Sequence, residues 1–301
     1  MKIGIRLAVA LAASIVASGA SAQTGTLDKI KASGSITVGH RDSSVPFSYL
    51  DDKQQPIGYA MDLCARIVDA VKADLKMPAL KVAYQAVTSA TRIPLMANGT
   101  IDLECGSTTN NAERQKQVAY TMSHFLTATR FITKKADHLN TLADLKGKTV
   151  VSGAGTTNFK QITAINAEQK LGMTILPAKD HAEAFMMVDT GRGVTYVMDD
   201  ILLAGLAAGS ANPALWQISS EALSEPEPYG IMLRKDDPAF KKVVDAAMVS
   251  TYKSGEAAKI YAKWFQNPIP PKGINLNLPL SALLKNQFAN PSDSADPAAY
   301  K

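Results

Sequence analysis

Short apolar runs alternate with amphipathic segments along the first third of the chain, and polar turns separate them. Between the first two runs, apolar residues recur three and four positions apart, which is the spacing of one helix face. Strands that alternate with helices in this way are typical of parallel-sheet units. The helix face is Leu63, Ile67, Ala70 and Val71, and the predicted strands are 35–39, 81–87 and 101–105.

The alternation starts again after residue 129 and continues to about residue 200, which predicts a second α/β unit. A further apolar run at 229–233 precedes a helix that opens at Pro238. The tail from about residue 290 is rich in proline, serine, aspartate and alanine, and we expect it to be loose. The other predicted strands are 129–133, 148–152, 173–177 and 194–198.

This layout predicts two lobes, since the chain leaves the first near residue 131 and returns near residue 230. Lobe 1 would comprise 23–131 and 230–301, and lobe 2 would comprise 132–229. Two crossing strands make a natural hinge. Ligands in open α/β sheets bind beyond the carboxyl ends of the strands, so the polar junctions there are the candidate site.

The first 22 residues have the pattern of a secretory signal. Lys2 and Arg6 precede the apolar run 7–16, and Ala20-Ser21-Ala22 offers a cleavage site before Gln23. The run is too short to span a bilayer as a permanent helix. We therefore expect an exported protein, and the 23–301 segment is longer than one core usually organises.

Charge and cysteine content narrow the class further. Removal of Lys2 and Arg6 lowers the formal charge from +5 to +3, and no basic run with interleaved aromatics occurs, so we expect no nucleic-acid partner. Cys64 and Cys105 would reach a compartment where disulfides form. Neither cysteine lies in a CxxC motif, and the sequence leaves open whether the two form a disulfide or are two buried free thiols.

Serines, threonines and arginines cluster at the junctions where a predicted strand is followed by a helix. Ser89 and Arg92 follow one strand, and Ser107, Thr109 and Arg114 follow another. Helix-start amides, hydroxyls and guanidinium forks are suited to carboxylates. A later strand–helix junction ends in an acidic residue. Together, these hydroxyls, arginines and the acid would fit a small zwitterion that carries an extra negative charge.

The chain resembles the periplasmic solute-binding proteins of polar amino acid ABC transporters, most closely those for glutamate and aspartate. The resemblance covers nearly all of 23–301 and implies a periplasmic-binding-protein-like fold (type II), in which two α/β lobes joined by a two-strand hinge close over a buried ligand. The matching stretches are 38–49, 88–94, 104–115, 178–181, 198–205, 232–238 and 264–271.

The resemblance also implies roles for individual residues. Arg114 would clamp the α-carboxylate with help from Thr109 and Thr157, and Asp199 would accept the ammonium with help from Ser107. The cations and hydroxyl around the distal carboxylate would be Arg41, Arg92, His181 and Ser89. From the residues alone, Arg114 also fits a surface arginine, Asp199 a structural salt bridge, and His181 an ordinary helix-start residue.

Gly153 and Asn158 depart from the family pattern, and Thr156 fits either a ligand contact or a helix cap. We expect Asp200 to be a helix N-cap. If His181 contacts the distal carboxylate, the anion should favour the protonated imidazole.

These features favour a binding protein over an enzyme. The four histidines lack metal-site spacing, no Gly-x-Ser-x-Gly elbow occurs, and the turn at 153–157 lacks a phosphate-loop ending, so we expect no catalytic residue, metal or cofactor. The resemblance implies a monomeric periplasmic receptor that delivers L-glutamate or L-aspartate to inner-membrane ABC permease subunits. A dehydratase-like periplasmic enzyme and a glutamine binder are the alternatives. The choice between glutamate and aspartate, the identity of the permease and a chemosensory role stay open.

Overall fold

Two five-stranded sheets, each flanked by helices, form the frame of this computed structural model, which describes residues 25–300. The predicted signal segment 1–22 lies outside the described residues. The helices are α1 Thr26–Ser33, α2 Tyr59–Asp74, α3 Arg92–Ala97, α4 Ala112–Gln115, α5 Thr157–Glu168, α6 His181–Asp189, α7 Asp200–Gly209, α8 Pro238–Lys253, α9 Glu256–Phe265 and α10 Ala282–Ala289. The strands are β1 Ser35–His40, β2 Ser43–Ser44, β3 Ser48–Leu50, β4 Pro56–Ile57, β5 Lys81–Ala86, β6 Leu103–Glu104, β7 Val118–Tyr120, β8 Phe125–Thr127, β9 Thr129–Lys134, β10 Thr149–Gly153, β11 Thr174–Ala178, β12 Thr195–Asp199, β13 Trp216–Ile218, β14 Glu227–Tyr229 and β15 Met232–Arg234.

Each sheet belongs to one lobe. The first has the order β5-β1-β6-β15-β7, in which β5, β1 and β6 are parallel and β15 runs antiparallel to both neighbours. The second has the order β11-β10-β12-β9-β13, in which β9 runs antiparallel to both neighbours. The predicted fold class, two α/β lobes, is confirmed.

Burial follows the periodicity of the sequence. All five residues of β12 are buried, as expected for a strand with neighbours on both edges and helices on both faces. On α2, Leu63, Ile67 and Val71 are buried, Ala70 is half-buried against the same core, and the helix packs against α8 and α9. The predicted apolar face of α2 is therefore confirmed.

Strands β8 and β14 pair antiparallel and join the two lobes, with Phe125 opposite Tyr229 and Thr127 opposite Glu227. Strand β9 of the second sheet follows β8 directly, and β15 of the first sheet follows β14. We propose this pair of strands as the hinge. The lobe boundaries at 131/132 and 229/230 stay a prediction.

Cys64 on α2 and Cys105 after β6 form a disulfide, which resolves the choice that the sequence left open. The bond ties a helix of lobe 1 to the loop that begins at the carboxyl end of β6. Cys105 lies two residues before Ser107, so this bond anchors the start of a segment that carries candidate site residues.

The expectation of a loose tail is wrong for the described residues. The carbonyl of Ser292 accepts from the amide of Ser123 at 2.8 Å, and the Asp293 carboxylate pairs with Lys241 Nζ at 2.8 Å. Tyr300 is 4% exposed, and its hydroxyl lies 2.8 Å from Ser123 Oγ. The composition of the tail does not reveal this docking, because one buried tyrosine and a few hydrogen bonds are enough to hold the segment in place.

Removal of residues 292–301 will lower the free energy of unfolding by about 3 kcal/mol or more, because it exposes the Tyr300 pocket and leaves the Ser123 amide without its acceptor. Urea unfolding of the truncated and full-length proteins measures the difference. The exposed variant Ala298→Ser serves as the control and should match the full-length protein. Equal stability of truncated and full-length proteins would contradict the prediction.

Candidate ligand-binding site

A narrow pocket, referred to below as the cavity, lies between the lobes at the carboxyl ends of the parallel strands. Eight of the nine site residues predicted from the sequence line it; the exception is Arg114. The lining residues are Arg41, Ser89, Arg92, Ser107, Thr109, Thr156, Thr157, Asn158, His181, Met198 and Asp199.

Helix caps place several of these side chains. Thr156 Oγ1 accepts from the amide of Phe159 at 3.0 Å, which caps α5 and puts Thr157 at its first position. Asp180 Oδ1 accepts from the amide of Glu183 at 2.9 Å, which caps α6 at His181. Thr156 is therefore a helix cap that also lines the cavity.

The lobes approach closely beside this cavity. Gly155 has φ of +78°, and a Cβ there would lie 2.7 Å from Ala90 Cα of the other lobe. Thr109 Oγ1 lies 3.5 Å from Thr157 Oγ1 across the interface. The structure thus shows the lobes in contact, in a closed arrangement.

Arg41 and Arg92 are each 2% exposed and flank the buried carboxylate of Glu104. Arg92 Nη1 donates to Thr108 Oγ1, which donates to Glu104 Oε2 at 2.6 Å. Arg41 Nη1 and Arg92 Nε have no hydrogen-bond partner within residues 25–300. One acid therefore faces two guanidiniums that keep donors for a further anion.

The positive charge here is crowded. Burial, and next the charge of Arg114, lower the pKa of Arg92 to about 9, with Arg41 adding to the effect and Glu104 opposing it. Burial also lowers the pKa of Arg41, against the charge of Glu104. Arg92 stays charged at neutral pH, and an anion in the cavity would offset the repulsion.

His181 lines the same cavity as this pair of arginines. Its Nδ1 lies 2.7 Å from the Tyr196 hydroxyl, and its Nε2 has no partner in the part of the chain that the structure describes. Burial, then Arg41 and Arg92, hold the pKa of His181 well below its usual value, so the imidazole is neutral here. A carboxylate beside Nε2 would act in the opposite direction.

Asp199 ends β12 and is 1% exposed. It accepts from Asn158 Nδ2 at 2.8 Å and from the Tyr229 hydroxyl. Burial and the negative charge of Glu227 raise the pKa of Asp199 to about 7. No lysine, arginine or histidine among residues 25–300 forms an ion pair with it, so the salt-bridge alternative finds no support.

Arg114 lies in an adjoining cleft that also contains Ser89 and Thr157. Its Nη1 donates to the Thr109 carbonyl at 2.9 Å and its Nη2 to the Gly155 carbonyl at 3.3 Å. At 7% exposure it is not a surface arginine. It bridges the lobes, and its role as the α-carboxylate clamp stays a prediction.

The expected N-cap position of Asp200 is wrong, because α7 begins at Asp200 and Asp199 occupies the cap position without a side-chain cap bond. Asp200 Oδ1 nevertheless accepts from the Ile201 amide of the first turn at 2.7 Å, and it also accepts from Thr127 Oγ1 at 2.6 Å, which fixes it to the hinge. Sequence reasoning also missed Glu227 on β14, whose Oε2 accepts from Thr109 and Thr157 at 3.1 Å each. Glu227 lies between two prolines, and such a sequence is typical of an exposed loop.

Within residues 25–300, none of the helices combines the length and apolar character that a membrane span requires. The same part of the chain holds no group of three or more histidine, cysteine, aspartate or glutamate residues suited to a metal ion.

The known proteins that are similar to this chain include several that bind amino acids. An L-glutamate/L-aspartate-binding protein of Pseudomonas aeruginosa is 55% identical over 273 residues, which is 90% of each chain. A glutamate/aspartate import solute-binding protein of Escherichia coli is 48% identical over 291 residues, or 96% of each chain. The structure of an ancestral arginine-binding protein bound to arginine matches with a TM-score of 0.69 and 27% identity, covering 77% of this chain and 98% of that one.

A family model matches residues 36–267, which include every residue that lines the cavity and all of both sheets except Ser35. The chain belongs to the bacterial extracellular solute-binding proteins, family 3.

Proposed function

We propose that the protein is a periplasmic receptor that captures L-glutamate or L-aspartate between its lobes and delivers it to an ABC permease of the inner membrane. The names of the curated relatives support this function. Those relatives are transport binding proteins, and the chain is a binding protein rather than an enzyme. The finer points, namely the periplasmic location, the permease subunits and a monomeric receptor, are part of the proposal.

The observation that carries the ligand class is the pair of buried arginines, Arg41 and Arg92, with donors unused within the described chain. A cationic ligand side chain would add a third positive charge to a desolvated site. An amide side chain would leave a guanidinium without an anion, at a cost of about 1–3 kcal/mol. An acidic side chain matches both charge and donors.

The other end of the ligand needs an acceptor for ammonium and donors for the α-carboxylate. Asp199 is the buried acceptor, with Ser107 Oγ unpartnered among the described residues and lining the same cavity. The first amides of α5, beginning at Thr157, lack intrahelical partners and carry the positive end of the helix dipole. We assign the α-carboxylate to these amides and to Arg114.

L-glutamate and L-aspartate will raise the melting temperature by roughly 5–10 °C at 100 times their dissociation constants, because ligand binds only the native state. A thermal-shift screen of the twenty amino acids at neutral pH measures this. Glutamine and arginine are the matched neutral and cationic probes and should give small shifts. An equal shift with glutamine would reject the acidic-ligand assignment.

A further inference from the structure

One carboxylate on the hinge is bound by both lobes. Glu227, the first residue of β14, is 8% exposed. Its Oε2 accepts from Thr109 Oγ1 of lobe 1 and from Thr157 Oγ1 of lobe 2, at 3.1 Å each. Its Oε1 accepts from Gln161 Nε2 of α5. Three donors from two segments, the loop after β6 and helix α5, therefore satisfy a carboxylate that has no ion pair with any residue in the 25–300 range.

Glu227 does not line the cavity that holds the other site residues, but lies behind the two threonines in a neighbouring cleft. A hydroxyl group has one proton to donate. Because both protons are directed at Glu227, both threonine oxygens can only accept hydrogen bonds from the cavity, so the α-carboxylate is left to Arg114 and the α5 amides and is not helped by these hydroxyls as the resemblance implied. A single acid thus sets the hydrogen-bonding character of two cavity-lining groups from outside.

We propose that Glu227 is a positioning residue of the ligand site, which joins Thr109 of one lobe to Thr157 of the other and so stabilises the closed arrangement around the ligand. This inference rests on the proposed function, since it concerns the same cavity. Glu227 makes no contact with the ligand in this role; it acts through the threonines.

A chain of side-chain hydrogen bonds links Glu227 to the ammonium acceptor. Asp199 accepts from Asn158 Nδ2 at 2.8 Å, Asn158 Nδ2 also donates to Thr129 Oγ1 at 2.6 Å, and Thr129 Oγ1 donates to Gln161 Oε1 at 2.6 Å. Gln161 Nε2 then donates to Glu227. Asn158 and Gln161 lie three positions apart on one face of α5, so the helix connects the two acids.

The two acids also interact by charge, since Glu227 is one cause of the raised pKa of Asp199. As the pH falls through about 7, Asp199 takes up a proton and loses the negative charge that would pair with the ligand ammonium, so affinity for glutamate should fall. Protonation of His181 would act oppositely, by favouring an acidic ligand. The charged and titratable groups that surround the two acids are Arg41, Arg92, Glu113, Lys160, His181, Tyr196, Asp200 and Tyr229.

Glu227→Gln in the full chain tests the proposal, with calorimetric titration of L-glutamate from pH 5.5 to 8.5. At pH 8 we expect about tenfold weaker binding or more, because two bonds to a charged acceptor become bonds to a neutral one. The pH at which affinity falls should also move below that of the wild type, since the neighbouring charge is gone. The exposed acid Glu168, near the end of the same helix, gives the control variant Glu168→Gln, which should match the wild type.

Small-angle X-ray scattering of both variants without ligand measures the closed fraction, which should drop in Glu227→Gln alone. Wild-type affinity and pH midpoint in Glu227→Gln would overturn the proposal, whatever its stability. A wild type that binds no acidic amino acid would instead reject the proposed function. If Glu227→Gln does not fold, Glu227→Asp keeps the charge but shortens the reach, and should bind more weakly with the wild-type pH midpoint; wild-type affinity there would equally overturn the proposal.

Discussion

Replacement of Arg92 by methionine will weaken the binding of L-glutamate and L-aspartate by roughly 30-fold to several thousandfold, since the loss of one partner from a buried charge pair costs about 2–5 kcal/mol. Arg92 is 2% exposed, and its Nε has no partner within the described chain. A ligand carboxylate would supply that partner. Binding of glutamine, which carries no distal charge, should change far less.

Arg114→Met provides the matched comparison for Arg92→Met. Arg114 donates to the backbone carbonyls of Thr109 and Gly155, one in each lobe, and we assign it to the α-carboxylate that all amino acids share. This variant should therefore lose affinity for acidic and neutral ligands alike. Calorimetry with glutamate and glutamine separates the two patterns, and equal losses for both ligands in both variants would end this assignment of roles.

The loss of Arg92 also strands a buried acid. Glu104 is fully buried, its Oε1 lies 3.8 Å from Arg92 Nη1, and without the guanidinium its charge is less compensated. Arg92→Met should therefore unfold at a lower temperature than the wild type. The double variant Arg92→Met/Glu104→Gln removes that charge, and should regain stability without regaining glutamate affinity. Recovery of affinity in the double variant would show that the arginine acts through Glu104 alone.

The alternation of apolar runs and helix faces was sufficient to predict the two sheets, because strand and helix periods are local properties of the sequence. It was also sufficient to place candidate residues at the carboxyl ends of strands. Asp199 illustrates the reasoning. A carboxylate at the end of a buried strand needs a polar or charged partner, and the structure places this one in the cavity. The family resemblance then supplied the roles.

What sequence reasoning missed depends on contacts between distant segments. Glu227 is read locally as a polar turn, and its importance appears when Thr109 and Thr157 converge on it from different lobes. The packing of Tyr300 against Ser123 joins residues far apart in the chain, as does the disulfide. None of these contacts leaves a periodic signal, so local pattern cannot reveal them.

Replacement of both cysteines by alanine will lower the free energy of unfolding by about 4 kcal/mol. The disulfide joins residues 41 positions apart, and closing a loop of that length in the unfolded chain removes roughly this much conformational freedom. Both side chains are buried, so the alanines add a packing loss of the same sign. Denaturant unfolding under oxidising conditions measures the effect.

The control for the chain-entropy argument is the denaturant unfolding of wild-type protein measured in the presence of a reductant. The reduced protein retains both sulfur atoms but lacks the bond, so its stability should approach that of the double alanine variant and exceed it by the packing contribution alone. Equal stability of oxidised and reduced wild type would show that the bond adds nothing. Because Cys105 leads into the segment of Ser107 and Thr109, the reduced protein should also bind L-glutamate more weakly, as the loop that presents these hydroxyls loses its anchor to α2.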